Sequence, residues 1–202
     1  MKTKRRGMLA TLGRWAGLLV CLGAIPMGPD AWAAEEESAA SPTGQPLPLP
    51  PGWQTYESAE GRFRVYMPSK PELTVGKRST IVGSLDENHY EAVRGEAFYL
   101  VEVRDLPRVA SWLMTDAGLL DRSVESLIDH SRAENIQEER ITQNGYPGID
   151  LSFDAGNHSG FFERARILLV NRRLYVVITG APASAPDTYR KTFIDSFEFW
   201  ES

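Results

Sequence analysis

The stretch Ala165–Gly180, ARILLVNRRLYVVITG, is the most apolar part of the chain outside its N-terminal region, and it constrains the fold more than any other segment. A membrane-spanning helix needs about 20 apolar residues, and Arg172 and Arg173 in the middle of this shorter stretch exclude one. A buried helix would place the same two arginines among apolar neighbours. The runs on either side, 167–170 and 174–178, are rich in the β-branched and aromatic residues that favour strands. We therefore predict a hairpin.

The turn of this hairpin falls at Asn171, which tolerates the positive φ that a tight turn requires. The register of the two strands stays open. Successive side chains of a strand point to opposite faces, and in 174–178 both sets are apolar. Neither face is therefore suited to water. We expect both strands of the hairpin near the centre of a sheet that is covered on its two sides.

Strand patterns recur along the rest of the chain. Phe63, Val65 and Met67 alternate with more polar residues, which indicates a half-buried strand that ends at Pro68. The segment 96–107, EAFYLVEVRDLP, is apolar on both faces over its middle and is predicted to be central. The other predicted strands are 73–85, 89–95 and a pair, 136–142 and 149–153, joined by Asn144-Gly145, a strong hairpin signal.

Two segments change to the helical period. Apolar side chains of 116–134 fall at i, i+4, i+7 and i+8 and form one stripe: Leu120, Val124, Leu127 and Ile128. Asp116 is expected to accept hydrogen bonds from the first amides of this helix. The closing segment 184–200 is predicted to be a second helix with Pro186 in its first turn. Its last residues, 198–200, can leave the helix and join the edge of a strand.

These elements predict an α+β protein. About six to eight strands joined mostly by hairpins make a largely antiparallel central sheet. Central strands that are apolar on both faces need cover on both sides. The expected architecture is therefore an α/β/α sandwich with a helix on each face of the sheet.

Residues 1–34 have the order of a secretory signal peptide, with a basic start, an apolar stretch richest at 16–27 and small residues before the end. We expect cleavage near Ala33 or Ala34, the alternative being an uncleaved anchor helix. A twin arginine at 5–6 leaves the general and the twin-arginine export routes both open. The mature protein would be periplasmic or secreted in a bacterium, with no stable membrane-spanning segment.

Residues 35–52 are rich in Pro, Ser and Ala and lack aromatic side chains, which is typical of a disordered linker. Residues 53–202 are then expected to form a single globular domain. Cys21 is the only cysteine, and it lies within the signal peptide. The mature chain would therefore have no disulfide, cysteine nucleophile or thiolate metal site.

Charge restricts the partners of the protein. The whole chain has a net charge of −5, and the signal peptide holds five of its 22 basic side chains but only one of its 27 acidic ones. The mature chain would carry a net charge of about −9, which repels phosphate backbones. A nucleic-acid partner is therefore not expected.

Three segments of the chain have a recognisable pattern: YESAEGRFRVYMPSKPE at 56–72, GYPGIDL at 145–151 and FIDSFEF at 193–199. The first contains an aromatic-Ser-x-Glu-Gly-x-Phe-x-Val pattern, formed by Tyr56, Ser58, Glu60, Gly61, Phe63 and Val65, and the turn residues Pro68 and Pro71. In these segments the sequence resembles exported bacterial proteins with a PsbP-like fold. Members of this group are mostly uncharacterised envelope proteins, and plant and cyanobacterial relatives are accessory subunits of the oxygen-evolving photosystem. The resemblance implies an accessory or binding role and no reaction.

Residues that could carry chemistry are few. His89, His130 and His158 do not share a metal-ligand spacing. The segment 86–89, DENH, offers oxygen ligands for a cation, but a solvated hairpin loop is the favoured interpretation. No catalytic, cofactor-binding or metal-binding residue and no cofactor is therefore predicted. Trp112, in the connection before the first helix, is the one residue proposed for partner binding.

Five charged side chains are expected to form cross-strand ion pairs on the sheet surface: Glu163, Arg164 and Arg166 against Glu102 and Arg104. Trp53 and Trp200 are weaker candidates for an interface anchor.

The favoured function is an exported, non-enzymatic accessory or protein-binding module of the cell envelope. Two alternatives stay open. One is a small-ligand carrier, whose cavity would be lined by residues such as Leu127, Phe98 and Val176. The other is a hydrolase whose carboxylates meet only in the folded chain, since catalytic residues can be distant in sequence.

Overall fold

The computed structural model describes residues 48–80, 83–109 and 113–201. The signal peptide predicted at 1–34 and the candidate Trp112 lie outside the described residues, as does most of the predicted linker. The assignment of 53–202 to one domain and of the linker before it therefore stays a prediction.

Ten strands and two helices are formed by the described residues. The strands are β1 (Gln54–Ser58), β2 (Phe63–Met67), β3 (Glu72–Thr80), β4 (Gly83–Arg94), β5 (Ala97–Asp105), β6 (Ala133–Gln143), β7 (Tyr146–Ala155), β8 (Phe161–Val170), β9 (Arg173–Pro182) and β10 (Glu198–Phe199). The helices are α1 (Asp116–Ser131) and α2 (Thr188–Asp195). Neither helix is long and apolar enough to cross a membrane.

Seven of the strands form one antiparallel sheet in the order β3-β4-β5-β9-β8-β7-β6. The opening stretch supplies β8 and β9, which pair through Ala165 opposite Ile178 and Val170 opposite Arg173. Asn171 has a φ of 57° at the turn between them. β9 lies between β5 and β8, and β8 lies between β9 and β7. The predicted hairpin and the central position of both strands are therefore confirmed.

One face of this sheet is covered by α1, which packs over β6, β7 and β8. The predicted helical stripe is the buried side, with Leu120, Val124 and Leu127 at most 6% exposed. They join a core with the sheet side chains Ile149 and Ile167. The large antiparallel sheet with a helix on this face agrees with the predicted α/β/α sandwich.

The opposite face is covered by α2 together with a second, three-stranded sheet in the order β1-β2-β10. Phe63, Val65 and Met67 of β2 are fully buried against the large sheet, with Phe193 of α2 beside them. The helix on each face is confirmed. The separate small sheet was not predicted, because local alternation shows that a segment is a strand but not which strand it pairs with.

The residues that carried the family resemblance have structural roles. The Gly61 amide donates to Ser58 Oγ at 2.9 Å, and Ser58 Oγ donates to Tyr90 Oη at 3.0 Å. A Cβ at Gly61 would lie 2.6 Å from the Phe63 ring, too close for any side chain. The motif therefore fixes a tight turn between β1 and β2 on top of the large sheet.

Helix boundaries differ from the sequence prediction in detail. Thr115, and not Asp116, caps α1, and its side chain accepts from the Gly118 amide at 3.2 Å. Pro186 precedes α2, because the cap of that helix is Asp187. The chain leaves α2 at Asp195 and then pairs as β10 with β2, so the predicted strand-edge pairing near the C-terminus is confirmed.

The first prediction compares Val176→Asp with Arg172→Ala. Val176 is buried in β9, so an aspartate there would be an uncompensated charge in the core that costs several kcal/mol, against a typical stability of about 5–15 kcal/mol. Arg172 is exposed at the turn, and its loss should change stability by no more than about 0.5 kcal/mol. Thermal melts of the two purified variants make the comparison. An aspartate variant that melts like the wild type would contradict the central position of β9.

Candidate functional site

Four charged or titratable side chains meet on the α1 side of the large sheet, away from the helix itself. Alternation along β4 places Glu87 and His89 on this face, and alternation along β5 places Glu102 and Arg104 there. The register sets His89 opposite Glu102 and Glu87 opposite Arg104. Pairing of two adjacent strands therefore assembles a square of charged groups, which we call the β4–β5 cluster.

The distances within the β4–β5 cluster show how its members interact. Arg104 Nε lies 3.2 Å from Glu87 Oε1 and forms a closer ion pair with Glu102 Oε1. On the other side, His89 Nε2 lies 3.9 Å from Glu87 Oε2 and 4.0 Å from Glu102 Oε1. The two carboxylates therefore lie between a guanidinium and an imidazole.

The cluster is largely withdrawn from water. Its four side chains are between 6% and 18% exposed, with Glu102 the most buried. Buried charges are tolerated only when they are paired, because desolvation costs several kcal/mol per ion. Interaction with the Glu87 carboxylate is the main cause that raises the pKa of His89, with the charge of Glu102 adding to it and burial and Arg104 opposing it. A protonated His89 would balance the second carboxylate.

Three members of the cluster can hold a metal ion. Glu87, His89 and Glu102 each offer one donor atom, and the three atoms lie within 4.8 Å of one another. One imidazole and two carboxylates are ligands that suit divalent transition metals. Without any metal, the same four side chains form an ion-pair network in which opposite charges compensate one another, and such a network can have a purely structural role.

The sequence interpretation of 86–89 as a hairpin loop is wrong. Glu87 and His89 lie within β4, which runs from Gly83 to Arg94. Residues 86–89 are all polar, so this part of β4 shows no alternation of apolar and polar side chains. A polar segment of this kind resembles a turn when only the sequence is read. The spacing of Glu87 and His89 by two residues was the available signal, but the strand that would meet them could not be identified from it.

The predicted ion pairs between β8 and β5 are also wrong, because β9 lies between those strands. Arg164 instead bonds Asp187 before α2, with 2.7 Å between Nη2 and Oδ2. Arg166 bonds Asp150 of the neighbouring strand β7, with 2.7 Å between Nε and Oδ1. Both arginines lie on the α2 face, whereas Glu163, immediately before Arg164, points to the α1 face, where Phe153 lies opposite it.

Glu163 is a buried carboxyl group, only 2% exposed, at the end of α1. Ser131 Oγ donates to its Oε2 at 3.4 Å, and Phe153 and Gly180 lie beside it on the adjacent strands. Burial raises its pKa to about 7 from 4.5, and the Ser131 bond only partly offsets this. At neutral pH the group is therefore about half protonated.

The remaining candidate residues from the sequence are either packed in the core, exposed at the surface or outside the described residues. Trp53 is buried and packs edge-to-face on Tyr99, whereas Trp200 is 36% exposed at the C-terminal edge. Three residues suggested as the lining of a ligand cavity are at most 8% exposed and belong to one packed core: Leu127, Phe98 and Val176. Trp112, outside the described residues, stays an untested prediction.

The two outer edges of the large sheet differ. At one edge, β3 runs for nine residues in unbroken register with β4, and Leu73 and Val75 on one of its faces are 44% and 63% exposed. At the other edge, β6 has a bulge between Glu134 and Gln137 and a run of exposed charged side chains. No described strand pairs with the outer side of β3. We call this the β3 edge.

With its antiparallel seven-stranded sheet, a helix on each face and a small second sheet, this chain has a PsbP-like fold. The solution structure of a cyanobacterial PsbP, CyanoP from Synechocystis sp. PCC 6803, matches with a TM-score of 0.51 over 81% of this chain and 99% of its own, at 15% sequence identity. That identity establishes similarity of fold alone.

A second solved structure, the protein of unknown function PA94 from Pseudomonas aeruginosa, matches over 65% of this chain and 84% of its own with 11% identity. Its TM-score of 0.34 is too low to support a conclusion about the fold. No family model and no curated protein matches the chain.

The second prediction concerns Glu163 and pH. Because its pKa is raised from 4.5 to about 7 in the folded state, the folded protein keeps a proton that the unfolded chain loses in this range. Stability should therefore fall as pH rises from 4.5 to 7, by roughly 3 kcal/mol. Glu163→Gln should remove this slope and be more stable than the wild type at pH 8. Denaturant unfolding across that pH range measures it.

The matched control is Glu138→Gln, which removes an exposed carboxylate of β6. It should leave the slope unchanged. His89 contributes a slope of the same sign, since its pKa is also raised, but that contribution cancels when each variant is compared with the wild type. Equal slopes in the wild type and Glu163→Gln would contradict a buried protonated Glu163.

Proposed function

We propose that this protein is an exported, non-enzymatic accessory module that binds a protein partner of the cell envelope by accepting an extended strand at the β3 edge. The observation that carries the proposal is the difference between the two edges of the large sheet. An unpaired edge strand presents free amide and carbonyl groups to any extended chain, and proteins usually protect such edges.

The β6 edge has two such protections. Its bulge interrupts the ladder, with Asn135 at a φ of 52°, and bulges twist an edge away from pairing. Its exposed charged side chains, among them Glu138, Glu139 and Arg140, oppose the approach of another chain. This end of the sheet is built to stay unpaired.

The β3 edge has less protection where it begins. Leu73 and Val75 are two residues apart and therefore lie on the same face, where they form an exposed apolar pair. Lys77 follows, in an exposed ion pair with Asp86, so the charged residues lie toward the hairpin end. Strand addition takes its affinity from main-chain hydrogen bonds and its specificity from alternate side chains. A partner segment with alternating apolar residues suits this arrangement.

Export and the accessory role are supported by the N-terminal sequence and by the fold. The order of basic, apolar and small residues in 1–34 is that of a signal peptide. The PsbP-like fold agrees with the family resemblance of the sequence, which implies an accessory or binding role. Fold similarity by itself does not determine function, so the binding edge needs its own test.

The third prediction tests the β3 edge with Val75→Lys, and Ile136→Lys on the β6 edge is the matched control. Both positions are exposed apolar residues of an edge strand, so neither change should shift the melting temperature by more than about 2 °C. A lysine at Val75 should reduce recovery of the partner from envelope extract at least about tenfold, because charged edges resist strand addition. Quantitative mass spectrometry of the captured proteins measures recovery.

A partner that is captured by the wild type and by Ile136→Lys but lost with Val75→Lys agrees with the proposal. Photo-crosslinking from residue 74, the exposed position between Leu73 and Val75, should then join that partner through an extended segment. Equal capture by all three proteins would reject the β3 edge as the binding surface.

The fourth prediction tests export. If 1–34 is a cleaved signal peptide, the protein that accumulates in a bacterium should begin just after Ala33 or Ala34 and be found outside the cytoplasm. Intact-mass measurement of the purified protein and fractionation of cells make the test, with a chain lacking residues 1–34 as the cytoplasmic control. A full-length protein that stays in the cytoplasm would contradict it.

A further inference from the structure

The β4–β5 cluster places one imidazole nitrogen close to two carboxylate oxygens. His89 Nε2 lies 3.9 Å from Glu87 Oε2 and 4.0 Å from Glu102 Oε1. Three donor atoms around one tetrahedral metal ion, at about 2.1 Å each, lie about 3.4 Å apart. The two distances from His89 Nε2 exceed that spacing by about half an ångström, and all three donor atoms lie within 4.8 Å of one another.

Glu102 supplies a second, independent observation. Its side chain is 6% exposed, and its Oε1 has no hydrogen-bond partner among the described residues. That oxygen is held by the Arg104 guanidinium through an ion pair and not through a hydrogen bond. A divalent ion would carry twice the charge of the guanidinium that now compensates this buried carboxylate.

We propose that Glu87, His89 and Glu102 form a binding site for one first-row divalent transition-metal ion, which replaces Arg104 as the counter-charge of the two carboxylates. An imidazole nitrogen with two carboxylates favours such ions over Mg²⁺ and Ca²⁺, which prefer oxygen ligands alone. Three protein ligands leave a position for water or for a ligand from a partner.

Arg104 is the natural competitor for this ion. It lies one residue before the end of β5, and its side chain is 13% exposed, so its guanidinium can move toward solvent when the ion binds. The cation would hold β4 to β5, one strand away from β3, where Thr74 lies opposite His89. The metal site does not rest on the proposed docking at the β3 edge.

The test titrates the untagged protein with Co²⁺ and then with Zn²⁺. We expect one Co²⁺ per chain, followed by its visible absorption, and displacement by Zn²⁺ but not by Mg²⁺ or Ca²⁺. His89→Gln and Glu102→Gln should each weaken Zn²⁺ binding at least about tenfold, since each removes one of three ligands. His130→Gln and His158→Gln are the matched controls and should bind as the wild type does.

Arg104→Gln separates a metal site from a purely structural ion pair. Removing a positive charge next to a cation should tighten Zn²⁺ binding at least about tenfold. If the cluster is only a structural ion-pair network, the same substitution should lower the stability of the protein without tightening Zn²⁺ binding. The metal-free variants are melted first, to show that each is folded. If His89→Gln does not fold, ¹⁵N spectra of the histidine rings in the wild type still identify the ligand, because only the Nε2 resonance of His89 should move with Zn²⁺.

The proposal is overturned by any of three results. The wild type could show no saturable binding. Binding could persist in His89→Gln or be lost in one of the control histidine variants, which would indicate an adventitious site. Arg104→Gln could weaken the affinity for Zn²⁺. None of these results bears on capture of a partner at the β3 edge, so the two proposals fail separately.

Discussion

Burial of β9 on both of its faces is the constraint on which the other layers depend. Val176 and Val177, adjacent in sequence, are 8% and 0% exposed on opposite faces, so each face of the sheet must carry its own cover. Two hydroxyl groups of β9 fix it in place. Tyr175 Oη donates to the Gly61 carbonyl at 3.0 Å, which ties the small sheet to β9, and Thr179 Oγ1 donates to the Phe98 carbonyl of the neighbouring strand β5 at 2.7 Å.

Two buried carboxyl groups lie on the α1 face of this sheet, and they are accommodated in different ways. Glu102 stays within a network of opposite charges in the β4–β5 cluster, where Arg104 and His89 lie beside it. Among the described residues, only Ser131 donates a hydrogen bond to Glu163, and the pKa of this carboxyl group rises to about 7. One group is compensated by charge and the other by a proton, because burial penalises whichever ionised form has no counter-charge.

The β4–β5 cluster and the β3 edge lie at the same end of the large sheet. α1 packs over β6, β7 and β8, so it covers the opposite half of its face. The charged residues lie on the half that it does not cover, whereas the exposed apolar pair of the edge strand, Leu73 and Val75, lies on the other face, with Leu73 opposite the buried Tyr90. In the described part of this chain, the charged and exposed apolar features without an obvious packing role are therefore concentrated in β3, β4 and β5.

Local patterns in the sequence determined much of the fold. The apolar character of 174–178 on both faces, the stripe from Leu120 to Ile128 and the turn at Asn144-Gly145 each depend on neighbours in the chain, so periodicity and turn chemistry were sufficient to predict them. The same is true of the α/β/α layering, since a strand that is apolar on both faces requires cover on both. The cap of α1 was missed by one residue, which is a normal error for element ends.

Only the tertiary structure decided which strands are neighbours, and the candidate site depends on that. Glu87 and His89 looked like a turn until β4 was placed beside β5, and Glu102 looked like an ion-pair partner of the β8 arginines until β9 was placed between their strands. The same applies to the small sheet and to the unprotected β3 edge. Strand pairing is a choice among distant segments that have similar local patterns, and it is made by the packing of the whole core and not by any one segment.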